Sequence, residues 1–463
     1  MIRLLACLLI FAFIQCKLDT PPKKEQSEKI AVKDSDPLPE WAKDATIYEV
    51  NIRQYSQDGT FIAFTEDLPR LKELGVEILW LMPIFPISEE KRKGELGSPY
   101  AVADYKDVNP EFGTMDDFKN LVSEIHDLDM KIILDWVPNH TGWDNPWITK
   151  YPDWYTQVDG EIIDPIDYNT GESWGWTDVA DLNYENEEMR TAMIEALRFW
   201  IEDIGIDGYR MDVAHGVPDD FWNEVAPAVN AYKNVFMLSE GEVPNQRNSG
   251  NFDMDYGWTL HHLLNEIAQG DKDVKDLDQY FKEDAKTFTA GFHMNFTSNH
   301  DENTWAGTVF ERMGDAHMTM AVLTASVEGM PLIYNGQEAP LRKRLEFFEK
   351  DPIDWGTYEY QDFYKTLNDL KRGNQALWNG EYGGPMERII TGNDRNVFAF
   401  KREINGDSVV VILNLSNAPQ KIDFDSSQIT GDYNNVFKKS SISIADRLTL
   451  NLRPWDYMIF SNR

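Results

Sequence analysis

The sequence predicts an α/β protein: a (β/α)8 barrel with a small inserted domain after the third strand and an antiparallel β-sandwich at the carboxyl end. Three observations favour the barrel. Short apolar runs alternate with amphipathic stretches over 45–371, the βαβα pattern of a parallel sheet covered by helices. Eight such apolar runs are present, the number that closes a barrel. The stretch 54–60 is not the Gly-rich phosphate turn that a doubly wound sheet places after its first strand.

The elements of the barrel follow from the apolar runs in chain order. The predicted strands are 46–52, 76–82, 131–137, 206–212, 235–238, 252–256, 293–297 and 331–335. The predicted helices between them include 65–74, 115–128, 187–204, 219–232, 316–327 and 359–371. These elements assign 41–140 and 184–378 to the barrel.

Two further domains are predicted where the barrel pattern fails. The polar stretch 141–183, rich in Trp and Asp, does not fit a barrel unit and indicates a small inserted domain. Beyond residue 378 the pattern changes to short alternating runs bounded by turn residues, which is typical of strands in an antiparallel sheet. The predicted strands of this β-sandwich, 379–463, are 396–401, 408–415, 444–450 and 455–460.

The amino-terminal 1–16 is typical of an export signal, with an early Arg3 and an apolar run too short to span a bilayer. Its end, 13–16 (FIQC), is similar to a bacterial lipobox, in which the Cys becomes the acylated first residue. We therefore predict lipidation at Cys16 and a flexible tether at 17–40, which is rich in Lys, Glu, Ser, Asp and Pro. The expected location is the bacterial outer membrane or periplasm, with simple secretion as the alternative.

Charge excludes one class of partner. The chain has 44 basic and 79 acidic residues, a net charge of −35, which repels polyphosphates and anionic lipid surfaces. Nucleic acid is therefore not an expected partner, and the membrane is expected to be contacted only through the lipid anchor. A neutral substrate is compatible with this charge, although a heavily solvated acidic surface is the favoured explanation. Cys7 lies within the signal, so the mature chain would contain no cysteine pair.

Four predicted strands end in polar segments that contain acidic side chains. They are 135–140 (DWVPNH), 208–215 (GYRMDVAH), 238–240 (LSE) and 296–301 (FTSNHD). Active sites of parallel barrels lie where the strands end. A single strand-end acid is usually a helix cap or an ion-pair partner, but four together indicate a catalytic site.

These segments match, in order and at suitable separations, the four short signatures of the α-amylase family (family 13) of glycoside hydrolases. Supporting segments are 98–105 (SPYAVADY) and 330–338 (MPLIYNGQE), and the resemblance covers nearly everything from residue 41 to the end. It implies a retaining glycoside hydrolase that cleaves α-glucosidic bonds, chiefly α-1,4, in starch-like glucans or maltooligosaccharides.

The resemblance assigns Asp212 as nucleophile and Glu240 as general acid/base. Retaining cleavage passes through an oxocarbenium-like transition state and needs one carboxylate to attack and one carboxyl to protonate the leaving oxygen. Strand order agrees, because the two residues end neighbouring strands; Glu242 is a rival acid but lies beyond the apolar run. Arg210 lies two residues before Asp212 and so on the same face of the strand. Its charge is expected to keep Asp212 ionised.

The resemblance also implies the sugar-binding residues. Asp301 resembles the family's third carboxylate, His140 and His300 would donate hydrogen bonds to sugar hydroxyls, and Tyr100 would stack on the sugar. Asn139 matches a position at which many family members bind a structural calcium, an ion that prefers oxygen ligands.

Other interpretations remain open. Within the family, the chain could transfer glycosyl groups to sugar hydroxyls or act on α-1,6 bonds. A non-catalytic glycan-binding protein is less favoured, because all three carboxylates of the family are present. Six tryptophans are candidates either for sugar-binding subsites or for domain cores: Trp143, Trp147, Trp154, Trp174, Trp176 and Trp305.

Overall fold

The fold is taken from a computed structural model in which residues 38–166 and 170–463 are described. The predicted signal, the lipidation site Cys16 and nearly all of the predicted tether lie outside the described residues. Within the described part, no helix combines the length and the apolar character needed to cross a membrane.

Eight parallel strands close into a barrel, which confirms the predicted fold. The strands are β1 (Ile47–Val50), β2 (Ile78–Leu81), β3 (Lys131–Trp136), β4 (Gly208–Met211), β5 (Phe236–Ser239), β6 (Met254–Tyr256), β7 (Phe292–Asn295) and β8 (Met330–Tyr334). Neighbours in the chain are neighbours in the barrel, and β1 pairs with β8 to close it. Each predicted strand overlaps one of these, although most are shorter than predicted.

Helices cover the outside of the barrel. The principal helices are Leu68–Leu74, Met115–Asp127, Glu187–Phe199, Asp219–Asn230, Trp258–Gln269, Val274–Thr287, His317–Ser326 and Gln361–Gly373. Shorter helical segments are Ile52–Tyr55, Phe61–Thr65, Pro146–Lys150, Pro244–Asn248 and Val309–Met313. The predicted helix 187–204 is α-helical to Phe199 and then widens into a π turn over Trp200–Ile204. A capping box formed by Thr114 and Asp117 fixes the start of Met115–Asp127.

Apolar side chains fill both faces of the barrel strands. In β2, Ile78 and Trp80 point into the barrel, whereas Leu79 and Leu81 pack against the helices. A sheet covered on both faces has no solvent-exposed side, so its strands read as continuous apolar runs. A charged side chain within such a strand is therefore buried and needs a partner.

The stretch after β3 forms a small insert beside the carboxyl ends of the strands. Its first strand, His140–Gly142, pairs antiparallel with Val179–Asp181, which returns the chain to the barrel. A second pair, Gln157–Val158 with Glu161–Ile162, lies between them. The insert is therefore anchored directly next to the end of β3.

The carboxyl-terminal domain contains two antiparallel sheets that share one apolar core. Its strands are β9 (Met386–Ile389), β10 (Val397–Ile404), β11 (Asp407–Asn414), β12 (Gln420–Asp425), β13 (Gly431–Asn435), β14 (Ser440–Ile444), β15 (Arg447–Leu452) and β16 (Tyr457–Ser461). The order is β9-β10-β11-β16-β13-β14 in one sheet and β12-β15 in the other. The single strand predicted over 444–450 is wrong, because β14 ends and β15 begins within that range.

Candidate active site

A cavity of about 370 Å3 opens at the carboxyl ends of the barrel strands. Its lining includes six of the predicted site residues: Tyr100, His140, Asp212, Glu240, His300 and Asp301. They follow four different strands and the loop after β2, so only the closed barrel brings them together. The predicted Arg210 is fully buried and contacts the carboxylates directly.

Arg210 on β4 is the centre of the charged cluster. Its Nη1 donates to Asp135 Oδ1 at 2.8 Å and to Asp212 Oδ1 at 2.7 Å. Its Nη2 lies 2.8 Å from Glu240 Oε1, an ion-pair contact without hydrogen-bond geometry. Its Nε donates to Tyr256 Oη at 3.1 Å. One guanidinium therefore holds three carboxylates in a fixed arrangement.

Aromatic rings exclude water from this guanidinium. Its central carbon lies 5.3 Å from the ring of Trp80, 5.8 Å from Tyr100 and 5.5 Å from Tyr256. Trp80 Nε1 and Tyr100 Oη also donate to Asp135 Oδ2, at 3.1 and 3.0 Å. Charge interactions are stronger in such a water-poor environment. Asp135, with both oxygens engaged, supports the cluster and does not line the cavity.

The pKa of Asp212 is shifted in the direction opposite to the prediction. Burial and the neighbouring Glu240 raise the pKa of Asp212 well above its usual value, although Arg210 lowers it. Burial also raises the pKa of Asp135 to about 6 despite the same guanidinium. The prediction that Arg210 keeps Asp212 ionised was based on Arg210 alone. It did not include burial or the two neighbouring acids, Glu240 and Asp135, which raise the pKa. At Asp212, burial and the neighbouring acids together therefore outweigh the single guanidinium.

The backbone at Val213 orients Glu240. Val213 has a φ of 45° and a ψ of 41°, a left-handed conformation that is rare for a β-branched residue. Such strain is typically held in place at functional sites and costs about 1 to 3 kcal/mol. Here it directs the Val213 amide at Glu240 Oε2, at 2.5 Å. Glu240 is thus fixed by a backbone donor beside the predicted nucleophile Asp212. The rival Glu242 does not line the cavity, and its carboxylate accepts from the backbone and side chain of Thr259.

His300 connects the cavity to the barrel interior. Its Nε2 lies 2.9 Å from Tyr100 Oη and 3.2 Å from Asp301 Oδ2, and its Nδ1 lies 2.5 Å from Glu49 Oε1. Burial disfavours the charged ring, but Asp301 and Glu49 outweigh burial and raise the pKa of His300 well above its usual value. The imidazolium in turn lowers the pKa of Asp301 against the effect of burial. His300 is therefore a double donor, and Asp301 stays ionised.

His140 is buried and neutral, because burial lowers its pKa to about 3. Its neighbour Asn139 is also buried, with Nδ2 at 3.3 Å from His140 Nδ1. Asp181 lies opposite His140 in the paired strand. Calcium takes six to eight oxygen ligands, and the Asn139 side chain offers one such oxygen. Among the described residues, no group of three acidic or His side chains with ligand spacing includes His140 or Asp181.

One group of side chains among the described residues has metal-ligand spacing, namely Glu242, Asp284 and His293, whose ligand atoms lie within 4.8 Å of one another. Together with Asp255 and Arg247 we call it the outer cluster. His293 and Asp255 alternate with barrel-interior residues of β7 and β6, so they point outwards. Arg247 Nη1 and His293 Nδ1 each lie 2.7 Å from Asp255 Oδ1, so two cationic groups already face these carboxylates.

An ion pair joins two loops at the rim of the cavity. Lys93, from the loop after β2, lies 2.7 Å from Asp178 of the insert, and both line the cavity. Phe347 covers the neighbouring wall. The centre of its ring is stacked 6.1 Å from that of Tyr100 and lies, tilted, 5.3 Å from that of Trp305. The loops after β2, β7 and β8 and the insert, four segments in all, therefore define the entrance.

Two of the six tryptophans proposed for subsites line the cavity. Trp176 is 37% exposed and Trp305 is 57% exposed, so each presents an open ring face. Trp174 does not line the cavity but packs against Trp176, at 4.9 Å between ring centres. The other three are away from the lining: Trp143, Trp147 and Trp154.

Sequence reasoning missed the residues that support the site from within the barrel. Asp135 was noted only as part of a motif, and Glu49, Trp80 and Tyr256 were not singled out. A usable signal existed for Glu49, since it is the one acid in the apolar run 46–52. Lys93 gave no signal, because a lysine in a polar loop is ordinary.

Comparison with known proteins gives one family. The family described as "Alpha amylase, catalytic domain" matches residues 43–372. A curated relative, "Alpha-amylase 3" of Dictyoglomus thermophilum, is 26% identical over 453 residues, which cover 83% of this chain and 87% of that protein.

Solved structures agree in fold over nearly the whole chain. A noncanonic maltogenic α-amylase, AmyB, from Thermotoga neapolitana superposes with a TM-score of 0.81 at 26% identity, covering 91% of this chain and 99% of that one. An α-amylase from Lactobacillus plantarum gives a TM-score of 0.79 at 28% identity, with 91% and 100% covered.

Proposed function

Because the chain belongs to the α-amylase family of glycoside hydrolases, we propose that it cleaves α-1,4-glucosidic bonds in starch-like glucans or maltooligosaccharides with retention of configuration. It is a glycoside hydrolase of the kind that acts on α-glucans, as are its relatives. The observation that carries the proposal is the arrangement of Asp212 and Glu240 on one buried guanidinium, at the floor of a cavity.

The two carboxyl groups have complementary roles. Asp212 attacks the anomeric carbon while the bond from that carbon to the leaving oxygen breaks, and Glu240 gives its proton to the leaving oxygen. In the second step Glu240 takes a proton from water, and the water oxygen displaces Asp212 from the anomeric carbon. Glu240 is held by the Val213 amide and by Arg210, which also binds Asp212, so both carboxyl groups face the same cavity.

The remaining residues hold the sugar whose bond is cleaved. We assign Asp301 to the hydroxyls and to the positive charge that develops on the ring, consistent with its lowered pKa. His300 and the neutral His140 donate hydrogen bonds to the same sugar, and Tyr100 provides an aromatic face.

Four finer predictions belong to this proposal. A structural calcium at Asn139 stays a prediction, supported only by the burial of that side chain, and no catalytic step depends on it. Its test is the melting temperature in a chelator and after calcium is restored. Export, acylation at Cys16 and attachment to a membrane also stay predictions. Mass spectrometry of the mature amino terminus, from cells in which the full chain is made, tests them.

Product analysis tests the activity. The protein is incubated with amylose, pullulan, isomaltose and trehalose, the products are sized, and the first anomer formed is identified by proton NMR. We expect short products from amylose, released first as the α-anomer. Cleavage of isomaltose in preference to amylose would favour α-1,6 action, products longer than the substrate would favour glycosyl transfer, and a β-anomer would contradict retention. Asp212→Asn protein, prepared identically, controls for contaminating amylases.

A further inference from the structure

We propose that Glu49 is a positioning residue for the reaction, a carboxylate inside the barrel that holds His300 so that this ring can serve the bound sugar. The proposal rests on the function proposed above only for the role of His300.

Glu49 is unusual because of where it lies. It is fully buried in β1, in register with Trp80 of β2 and Tyr334 of β8. Ile47, two residues earlier, belongs to the barrel interior, so Glu49 points inwards as well. A carboxylate in this position replaces an apolar contact and loses its hydration, which is unfavourable unless a strong partner compensates.

His300 is that partner. Glu49 Oε1 lies 2.5 Å from His300 Nδ1 and accepts a longer bond, 3.4 Å, from the His300 backbone amide. Glu49 Oε2 has no hydrogen-bond donor among the described residues. The hydrogen bonds that the structure shows for this carboxylate therefore all come from one residue, and they fix both the ring and its backbone.

The opposite edge of His300 faces the cavity. Nε2 lies beside Tyr100 Oη and Asp301 Oδ2, both of which line the cavity. With Nδ1 bound to Glu49, the ring cannot rotate without losing that bond, so Nε2 is held towards Asp301 and the substrate. A carboxylate on the far side of a ligating or donating histidine commonly fixes its orientation and tautomer in this way.

The charges around the ring are consistent with a doubly protonated His300. Glu49 from β1 and Asp301 from the end of β7 face its two nitrogens, Tyr100 from the loop after β2 bonds Nε2, and Arg210 and Asp135 lie behind Tyr100. Removing the charge of Glu49 leaves one carboxylate beside the imidazolium. His300 should then lose its proton at lower pH.

Two substitutions separate position from charge. Glu49→Gln keeps an oxygen that accepts from Nδ1 but removes the charge, whereas Glu49→Leu removes both. We expect kcat/KM on maltooligosaccharides to fall about 3- to 10-fold in Glu49→Gln and about 30-fold or more in Glu49→Leu, so that the conservative variant rescues most of the activity. The high-pH limb of kcat/KM should move to lower pH in both.

The control is Asp255→Asn, which removes the carboxylate beside His293 in the outer cluster, away from the cavity. It should lower stability and leave the pH profile of kcat/KM unchanged. Circular dichroism and melting temperatures establish that each variant is folded before activities are compared.

A readout that needs no activity distinguishes failure of this inference from failure of the proposed function. The NMR titration of the 15N-labelled His300 ring, identified by its absence in His300→Gln, should move to lower pH by one unit or more in both Glu49 variants. A titration and a kcat/KM profile that are unchanged in Glu49→Leu would overturn the proposal. If the wild-type chain cleaves no α-glucan while the titration moves as expected, the link between Glu49 and His300 stands and the proposed function fails.

Discussion

Two clusters of charged side chains lie on opposite faces of the barrel sheet, one on its interior face and one on its outer face. They differ in the number of acids relative to cations. The pocket cluster contains the carboxylates Glu49, Asp135, Asp212, Glu240 and Asp301 with the cations Arg210 and His300. The outer cluster contains Glu242, Asp255 and Asp284 with Arg247 and His293. The pocket cluster therefore holds three more acids than cations, and the outer cluster only one more.

This difference shows what a catalytic arrangement requires beyond burial. In the outer cluster His293 bridges Asp255 and Asp284, and Arg247 anchors Asp255, so each cation is matched to nearby acids. In the pocket cluster Arg210 must serve three acids at once, and burial raises the pKa of two of them. An excess of acidic groups over cations beside a cavity suits a substrate that becomes positive in its transition state. The outer cluster is expected to matter for stability alone.

The largest expected effect is on turnover in the pocket cluster. Asp212→Asn removes the nucleophile and Glu240→Gln removes the acid, and each should lower kcat by about a thousandfold or more. The free energy of unfolding should be unchanged or slightly higher, because each substitution removes one acid from a site where acids lie close together. Steady-state kinetics with short maltooligosaccharides measure the loss of kcat, and thermal melts measure the change in stability.

The matched control for these variants is Asp284→Asn in the outer cluster, an equally small change at a partly buried acid. It should leave kcat within about twofold. Near-normal turnover in Asp212→Asn would overturn its assignment as nucleophile, and a large loss of kcat in Asp284→Asn would show that the two clusters are not separable.

The second effect is on stability. Arg210→Met leaves three acids without their shared cation, and breaking such buried pairs typically costs about 3 to 5 kcal/mol of unfolding free energy. Arg247→Met removes one direct carboxylate contact, to Asp255, and should cost less. Urea unfolding of both variants measures the difference. A larger loss of unfolding free energy in Arg247→Met would contradict the view that Arg210 stabilises the fold by compensating the excess of acids in the pocket cluster.

The third effect is a pH dependence of stability from His293. Burial opposes its protonation, but hydrogen bonds with Asp255 and Asp284 raise its pKa to about 9 from an ordinary value of 6.5. A pKa raised on folding stabilises the protein fully below about pH 6.5, and this contribution is lost as pH rises through about 9. The loss amounts to about 3 kcal/mol at most.

Unfolding free energies of wild type and His293→Gln, measured from pH 6 to 9.5, isolate this contribution. The wild type should lose its advantage over the variant as pH increases. An advantage that is constant across this range would show that His293 is neutral in the folded protein.

The sequence was sufficient for the barrel because its strands are buried on both faces and therefore carry a strong apolar signal. It was also sufficient for residues in motifs, such as Asp212 and His300, whose places at strand ends bring them to one face. It failed in the carboxyl-terminal domain at 444–450, where a two-residue turn between exposed strands leaves little pattern.

The direction of the pKa shift of Asp212 could not be predicted from the sequence for a different reason. Its pKa depends on Glu240 and on burial, which are set by strands distant in the chain, whereas Arg210 is visible two residues away. The same holds for Glu49, whose partner His300 is 251 residues further along. Local spacing predicts which side chains share a strand face, but the balance of charge needs the closed barrel.

The smallest expected effect is at the rim of the cavity, where the ion pair between Lys93 and Asp178 is more exposed than the pairs of the two clusters. The Lys93 side chain is 38% exposed, so its contact with Asp178 should contribute less than about 1 kcal/mol to stability.

Lys93→Met keeps the apolar stem and removes the charge. Because Lys93 lines the cavity and forms its ion pair with Asp178 and not with the reacting carboxyls, we expect KM for maltotriose to rise about two- to fivefold with kcat nearly unchanged, the pattern of lost uniform binding. Asp178→Asn should have the same effect, and the double variant should add little, since either change breaks the pair. A fall in kcat at constant KM would instead place Lys93 among the groups that act in the transition state. The rim pair of Lys93 and Asp178 would then share the catalytic role assigned to the pocket cluster.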